Sequence, residues 1–168
     1  MPFVEKRNVT IVAIDDALEA PALRSVLENA NYRVNVHWTG SRKELLKIVG
    51  GEIETDETVI LSCHGKPNGI QVPDEAPLGT EELGASGRLD GKTVISTGCV
   101  TGTPAFVEAF KKAGAAHYVA PVDYPDGSAA LAFVTNLFLL LSYDTDLAEA
   151  VQRAADFHDE MKQFRLFT

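Results

Sequence analysis

The stretch VILSCHGKPNG, residues 59–69, changes within a few positions from an apolar run to polar residues and glycines. An apolar run without alternation is typical of a central parallel strand that is covered on both faces, so we predict a strand over Thr58–Ser62. Neighbouring strand residues point to opposite faces, so Cys63 and His64 cannot share one cleft. We assign Cys63 to the core, where cysteine is commonly buried, and expect His64 to face outward.

A second apolar run, Thr93–Ser96, leads into TGCVTGTP, residues 97–104. Thr103 stands in an N-cap position and Pro104 at the first helical position, which predicts a strand, a short turn and a helix. Cys99 lies in that turn. We expect the unpaired N–H groups and the dipole of the helix to favour its thiolate.

Reactive groups in open α/β sheets collect beyond the carboxyl ends of the strands. If the strands that end at Ser62 and Gly98 are neighbours, His64 and Cys99 face each other as a base and a nucleophile. Gly65 lets its backbone N–H approach a ligand closely. Together with the N–H of Cys99, it would form an oxyanion hole.

The rest of the chain alternates between strand and helix patterns, which predicts an α/β fold: a three-layer sandwich with a mainly parallel central sheet. We expect one domain over residues 1–168. The further strands are expected at 8–14, 33–39 and 117–122. The further helices are expected from Pro21, from the capping box Ser41–Glu44, over 131–141, and from Asp146 with an apolar stripe that reaches His158 and Met161.

Residues 66–91 do not fit this alternation, because they carry three prolines and several glycines. We predict a long excursion from the sheet, with a short hairpin near Ile70–Val72. Long excursions in compact domains are usually functional or mobile.

Composition excludes several classes of function. The net charge of −9 argues against a nucleic-acid partner and favours basic or neutral ones.

We expect no membrane span, since the most apolar stretch, residues 129–141, is too short for one. The chain has two cysteines and no secretory signal at its amino terminus, which predicts a cytoplasmic location. The cysteines and the histidines (His37, His64, His117, His158) lack metal-site spacing, so we expect no metal and no cofactor.

The segments VILSCHG and VISTGCVTG resemble the caspase-like fold of clan CD cysteine peptidases, particularly the CHAT and separase branch. There the cysteine is commonly followed by one residue and Thr-Gly, as in the CVTG of residues 99–102. The similarity continues through AFVEAFKKAGAAHYVAPVDYPDGSAALAFVTNLF and covers Thr58–Ala154. The sequence departs from that branch at Val100, where an acidic residue is usual, at Gly98, where alanine is usual, and in the short His64 to Cys99 connection.

The resemblance implies a cysteine peptidase that hydrolyses a peptide or protein substrate. His64 would act as general acid and base, Cys99 as nucleophile, and the amides of Gly65 and Cys99 as oxyanion donors. Asp123 and Asp126 follow the next strand and would select a basic residue of the substrate by charge pairing. For Asp126 we favour helix capping instead.

Other interpretations stay open. One is a non-catalytic caspase-like domain. Another is a receiver-like signalling module, because Asp15 and Asp16 resemble a magnesium-binding acidic pair, although the third strand lacks the phosphate-accepting aspartate. A third is a cysteine hydrolase of another kind, with His117 or His37 as the base. The sequence also leaves open a homodimer formed through an edge strand.

Overall fold

The computed structural model describes residues 6–15 and 19–168, and its centre is a six-stranded sheet. The strands of the sheet are β1 Arg7–Ile14, β2 Tyr32–Thr39, β3 Thr58–Ser62, β6 Thr93–Ser96, β7 His117–Pro121 and β8 Phe164–Phe167; a separate hairpin consists of β4 Gly65–Lys66 and β5 Gly69–Ile70. The helices are α1 Glu19–Asn29, α2 Arg42–Val49, α3 Thr80–Ser86, α4 Pro104–Lys112, α5 Gly127–Ser142 and α6 Leu147–Ala155.

The strand order is β2-β1-β3-β6-β7-β8. The first five strands of this order are parallel, and only β8 runs antiparallel, beside β7. Parallel neighbours need crossover connections, and the helices between the strands supply them. The predicted α/β class with a mainly parallel sheet between helical layers is confirmed.

The two faces of the sheet build two separate cores. Side chains such as Ile60, Ile95 and Val119 pack on one face with α1, α5 and α6, where the rings of Phe133 and Phe164 stack with centroids 4.0 Å apart. Alternate residues of the same strands point to the other face and pack with α2, α3 and α4. Each buried side chain of this size contributes about 1.5–3 kcal/mol, so both helical layers are held mainly by apolar burial.

The excursion over residues 66–91 is more regular than the sequence suggests. Its hairpin starts at Gly65 and ends at Ile70, so the prediction of a hairpin near Ile70–Val72 is displaced by several residues. The excursion also contains α3, which packs against α4 and buries Leu83. A seven-residue helix with one fully buried leucine shows too short a periodic pattern to be recognised from sequence.

The end of the chain also differs from the prediction. Helix α6 stops at Ala155, and Met161 lies in a 3-10 segment over Asp159–Gln163, for which His158 is the N-cap. Met161 and Phe164 still enter the core beneath α5 and α6. The apolar stripe therefore reflects burial in one core and not one continuous helix, and β8 was not predicted.

The predicted starts of helices α1 and α2 agree better with the structure than the predicted end of α6 does. The capping box at α2 is confirmed, since Ser41 accepts a hydrogen bond from the Glu44 N–H and Glu44 Oε2 accepts one from the Gly40 N–H at 3.2 Å. Helix α1 begins at Glu19, two residues before the predicted Pro21.

Across the described residues, no helix combines the length and apolar character that crossing a membrane requires.

Candidate active site

Strands β3 and β6 end side by side at one edge of the sheet. Ile60 pairs with Ile95 and Leu61 with Ser96, and the N–H of Thr97 donates to the Leu61 carbonyl at 3.0 Å. The expectation that these two strands are neighbours is confirmed. Residues 63–65 and 97–99 therefore leave the sheet next to each other.

Cys63 and His64 separate as predicted. Cys63 is buried in the core on the α2, α3 and α4 side, whereas His64 is exposed. Burial raises the pKa of the Cys63 thiol from 9.0 to about 12, so this group is a neutral thiol at physiological pH. Cys63 is a core residue, and Cys99, which is only partly buried, is the thiol open to chemistry.

Gly65 brings the backbone after His64 into direct contact with Cys99. A Cβ atom on Gly65 would overlap the Cys99 carbonyl oxygen and lie 2.7 Å from Thr101 Cγ2. A Cβ atom on Gly98 would lie 2.9 Å from Cys63 Sγ and 3.0 Å from the Gly65 nitrogen. Only residues without side chains fit at 65 and 98, because the two strand ends pack backbone against backbone.

A buried polar network lies under the Cys99 turn. Thr101 Oγ1 donates to the Gly98 carbonyl at 2.6 Å and lies 2.8 Å from Ser96 Oγ. The Gly98 N–H donates to Ser96 Oγ at 3.2 Å, and the Tyr118 hydroxyl donates to the Thr101 carbonyl at 2.7 Å. These bonds hold both ends of the turn that carries Cys99.

Glu19, at the start of α1, links the end of β3 to the end of β6 through its side chain. Its Oε1 atom accepts hydrogen bonds of 2.8 Å from Ser62 Oγ and from Thr97 Oγ1. Thr97 Oγ1 also accepts the N–H of Cys63 at 3.2 Å. One carboxylate thus fixes the spacing between β3 and β6 immediately before His64 and Cys99.

The backbone of His64 is held by the hairpin that follows it. The N–H of Gln71 donates to the His64 carbonyl at 2.9 Å, and Gln71 Nε2 donates to Asp15 Oδ2 at 3.3 Å. Asp15 follows β1 directly and has a left-handed φ of 63°. Asp16, the other member of the acidic pair on which the receiver interpretation depends, lies outside the described residues.

The pKa of the Cys99 thiol is raised, whereas the sequence analysis expected the thiolate to be favoured. Burial raises the pKa of the Cys99 thiol, and the negative charge of Asp123 raises it further, while the residue's own backbone N–H lowers it. The prediction that the helix start favours a thiolate is therefore wrong in direction. Three turn residues and Thr103 separate Cys99 from the first residue of α4, Pro104, and the helix dipole acts only close to the terminus.

Val100, which follows Cys99, has a strained backbone. Its φ is +53°, a left-handed value that is a rare outlier for a β-branched residue, and such a conformation costs about 1–3 kcal/mol. The side chain is buried, and the N–H donates to the Asp123 carbonyl at 2.9 Å. The surrounding structure holds this strain beside the reactive thiol.

Asp123 and Asp126 lie in the loop after β7, on the same edge of the sheet as Cys99. Both residues are exposed, and Asp123 Oδ1 accepts the N–H of Tyr124 at 3.0 Å. Asp126 stands at the N-cap of α5, but its side chain makes no capping bond, as is also true of Thr103 at α4. The capping role expected for the Asp126 side chain is therefore wrong, although the position is that of a cap.

The alternative bases lie away from Cys99. His117 begins β7 and therefore stands at the amino edge of the sheet, opposite the edge that carries Cys99. His37 lies in β2, and β1 and β3 separate that strand from β6. Of these histidines, only His64 follows a strand adjacent to the one that precedes Cys99.

The sequence analysis noted Thr101 only as part of the CVTG motif, and it missed the other residues that support this edge: Glu19, Gln71, Ser96 and Thr97. Hydroxyl residues at the ends of two apolar strands were a weak signal for Ser96 and Thr97, because buried hydroxyl groups need hydrogen-bond partners. Glu19 and Gln71 gave no signal, since their partners are distant in sequence.

Comparison with solved structures shows which proteins share this fold. The chain is similar to the Arg-specific cysteine proteinase gingipain R, with a TM-score of 0.63, 13% identity, and coverage of 93% of this chain and 44% of that one. It is similar to the complex of the pro- and mature domains of RgpB from Porphyromonas gingivalis, with a TM-score of 0.62, 12% identity, and coverage of 94% and 45%. It is also similar to the Saccharomyces cerevisiae separase-securin complex, with a TM-score of 0.64, 10% identity, and coverage of 98% and 12%.

The fold of this chain is the caspase-like α/β fold that it shares with gingipain R and separase. Identities this low show the fold alone. The chain spans less than half of the gingipain chains and a small part of the separase chain. No protein-family model and no curated protein matches the sequence.

Proposed function

We propose that the protein is a cysteine peptidase in which Cys99 is the nucleophile and His64 the general acid and base. The observation that carries this proposal is the contact between Gly65 and Cys99, because it joins the backbone after His64 to the residue that bears the accessible thiol. The caspase-like fold supports it, since the structural neighbours with this fold are cysteine peptidases.

The proposed reaction follows from the raised pKa of Cys99. A thiol that is not ionised needs a base, so His64 takes the Sγ proton as sulfur attacks the carbonyl carbon of the substrate. The backbone N–H groups of Gly65 and Cys99 stabilise the resulting oxyanion. His64 then gives the proton to the leaving amine, and water hydrolyses the thioester with His64 again as base. No cofactor takes part.

Asp123 is proposed to select a basic residue before the scissile bond. It is exposed, its carbonyl accepts the N–H of Val100, and its charge acts on the Cys99 sulfur. A carboxylate so close to the nucleophile can pair with an arginine or lysine of a bound peptide. The net charge of −9 favours a basic substrate as well. Asp126, three residues further along the same exposed loop, is proposed as a second contact for such a substrate.

Among clan CD enzymes we favour the CHAT and separase branch. The CVTG motif supports this assignment, and Thr101 of that motif holds the Cys99 turn through its bond to the Gly98 carbonyl. Both cysteines are free, which suits thiol chemistry in a reducing compartment, and we infer a cytoplasmic location.

The test is labelling with an irreversible thiol-directed peptide inhibitor that carries arginine next to the reactive group. Wild type and Cys63→Ala are expected to be labelled at Cys99, whereas Cys99→Ser and His64→Ala are not. His37→Ala is the matched histidine control and should keep full labelling. Labelling that persists unchanged in His64→Ala removes His64 as the base.

A non-catalytic caspase-like domain is the second candidate, and the raised pKa of Cys99 favours it. In that case the thiol stays unreactive toward the inhibitor and no peptide of a mixed library is cleaved. Labelling of Cys99 together with cleavage after basic residues contradicts this second candidate.

A further inference from the structure

Strand β2 forms an unusually open edge of the sheet. It pairs with β1 in an unbroken register from Tyr32 to Thr39, and within the described part of the chain no strand pairs with its other side. Natural edge strands are commonly protected by shortness, proline, lysine or a bulge. The eight residues of β2 include no proline, lysine or bulge, and the one charged side chain is Arg33 near the amino end, so a long row of backbone donors and acceptors is available for another strand.

The side chains on one face of β2 are apolar and become more exposed toward its carboxyl end. Val34 is buried and Val36 is partly buried against the α1 side of the core. Trp38, next on this face and the only tryptophan of the chain, is 61% exposed. A large exposed ring on an open edge is the kind of side chain that an added strand would cover.

The charges around β2 are close to balance, unlike those of the protein as a whole. A groove of about 550 Å³ along the strand is lined by residues 34–37, by the cation Arg24 and by the carboxylates Glu54 and Asp56. Arg33 adds a second cation on the strand itself, and Glu28, which pairs with Arg24 at 3.0 Å, adds a third carboxylate. In a chain with a net charge of −9, a nearly balanced surface is where two identical copies meet with little repulsion.

We propose that β2 pairs antiparallel with β2 of a second copy, around a two-fold axis through Val36. Such a pairing keeps equivalent faces together, so Val36 lies opposite Val36 of the other copy and Trp38 lies opposite its Val34. The other facing pairs are Arg33 with Thr39 and Asn35 with His37. No two like charges are directly opposed.

The neighbouring registers are less favourable. Moving the axis to His37 shortens the paired stretch to residues 35–39. Moving the axis to Asn35 sets two asparagines on it, whose side chains each already bond to Asp56. The register centred on Val36 is the favoured one, because it pairs residues 33–39, sets two valines on the axis and places the aromatic Trp38 opposite the β-branched Val34. It joins the two sheets into one and leaves the Cys99 edge of each copy uncovered.

Two charged variants at the axis test the proposal. Wild type is expected to sediment as a dimer that dissociates on dilution, and the single tryptophan should show a blue shift of its emission as the dimer forms. Val36→Lys and Val36→Glu each place like charges on the axis and are expected to weaken the dimer by about 100-fold. A 1:1 mixture of the two variants should dimerise again, because lysine then faces glutamate.

Leu139→Lys on α5 is the control for adding a charge at an exposed apolar position and should remain dimeric. Far-UV circular dichroism establishes that each variant is folded. Trp38→Glu, at a mostly exposed position, gives a second variant that is expected to be monomeric if Val36→Lys does not fold. A wild-type chain that stays monomeric at high concentration, or a folded Val36→Lys or Trp38→Glu chain that stays dimeric, overturns the proposal.

Discussion

The Cα atom of Gly65 lies against the carbonyl group of Cys99, and position 65 has room for a hydrogen atom but not for a methyl group. This contact joins the ends of β3 and β6, which are far apart in the chain. It also fixes how closely the His64 backbone approaches the turn that carries the accessible thiol. The candidate active site depends on this close approach more than on any single polar contact.

Gly65→Ala should abolish the proposed peptidase activity, because the new methyl group pushes the His64 backbone away from Cys99. A displacement of about 1 Å in such a site can cost about 100-fold in rate, so at least that loss is expected. Gly40→Ala is the matched control, since a Cβ atom there meets nothing within 4 Å. Peptide cleavage and inhibitor labelling measure the effect, and wild-type rates in Gly65→Ala would contradict it.

Asp123→Asn should make Cys99 react faster with iodoacetamide near neutral pH. The negative charge of Asp123 contributes to the raised pKa of Cys99, so its removal lowers that pKa and increases the thiolate fraction at a given pH. The plot of alkylation rate against pH should move to lower pH. Asp126→Asn provides the control, and an unchanged profile in Asp123→Asn would show that the charge of Asp123 does not act on this thiol.

The same Asp123→Asn change should slow cleavage after arginine. A hydrogen-bonded charge pair contributes about 1.5–3 kcal/mol, so kcat/KM for such peptides is expected to fall by about 10- to 100-fold. Cleavage of matched peptides with a neutral residue at that position should change much less. Equal losses for both kinds of peptide would mean that Asp123 does not select the basic residue.

The protein should lose stability in alkaline solution. Burial raises the pKa of Cys63 from 9.0 to about 12, so between these values the unfolded chain has released a proton that the folded chain retains. The free energy of unfolding therefore falls as the pH rises above 9, by up to about 1.4 kcal/mol per pH unit. Urea unfolding at a series of pH values measures this slope, which should be shallower in Cys63→Ala and would be unchanged if Cys63 were not responsible.

Thr101→Val should destabilise the Cys99 turn, whereas Thr103→Val should not. Thr101 is fully buried, and its hydroxyl donates to the Gly98 carbonyl at 2.6 Å, so valine leaves that carbonyl with only the 3.4 Å bond from the Thr101 N–H, at a cost of about 1 kcal/mol. The Thr103 side chain makes no capping bond, and its loss should change the free energy of unfolding by no more than about 0.5 kcal/mol. Urea unfolding of both variants compares the two, and equal effects would contradict the assignment of Thr101.

The local features of the fold were predictable because short stretches of sequence determine them. The apolar runs at β3 and β6 and the capping box at Ser41 each depend on neighbouring residues. The short helix α3, the end of α6 at Ala155 and the strand β8 were missed or misplaced. Their formation depends on packing against elements that lie elsewhere in the chain.

In the candidate site, too, the features that depend on neighbouring residues were predictable, and the contacts between distant residues were not. The two-residue period of a strand placed Cys63 and His64 on opposite faces, and the tendency of cysteine to be buried then assigned Cys63 to the core and His64 to the exposed side. The support from Glu19 and Gln71 was not predictable, because hydrogen bonds between residues distant in sequence leave no local pattern.

The sequence by itself determined that parallel strands present His64 and Cys99 at the same edge of a sheet, because periodicity and turn residues act over a few positions. Only the tertiary structure decided that β3 and β6 are neighbours, that Gly65 touches Cys99, and that the pKa of Cys99 is raised rather than lowered. The physical reason is that contact, burial and electrostatic interaction depend on distances through space, which the folded chain sets between residues that are far apart along it.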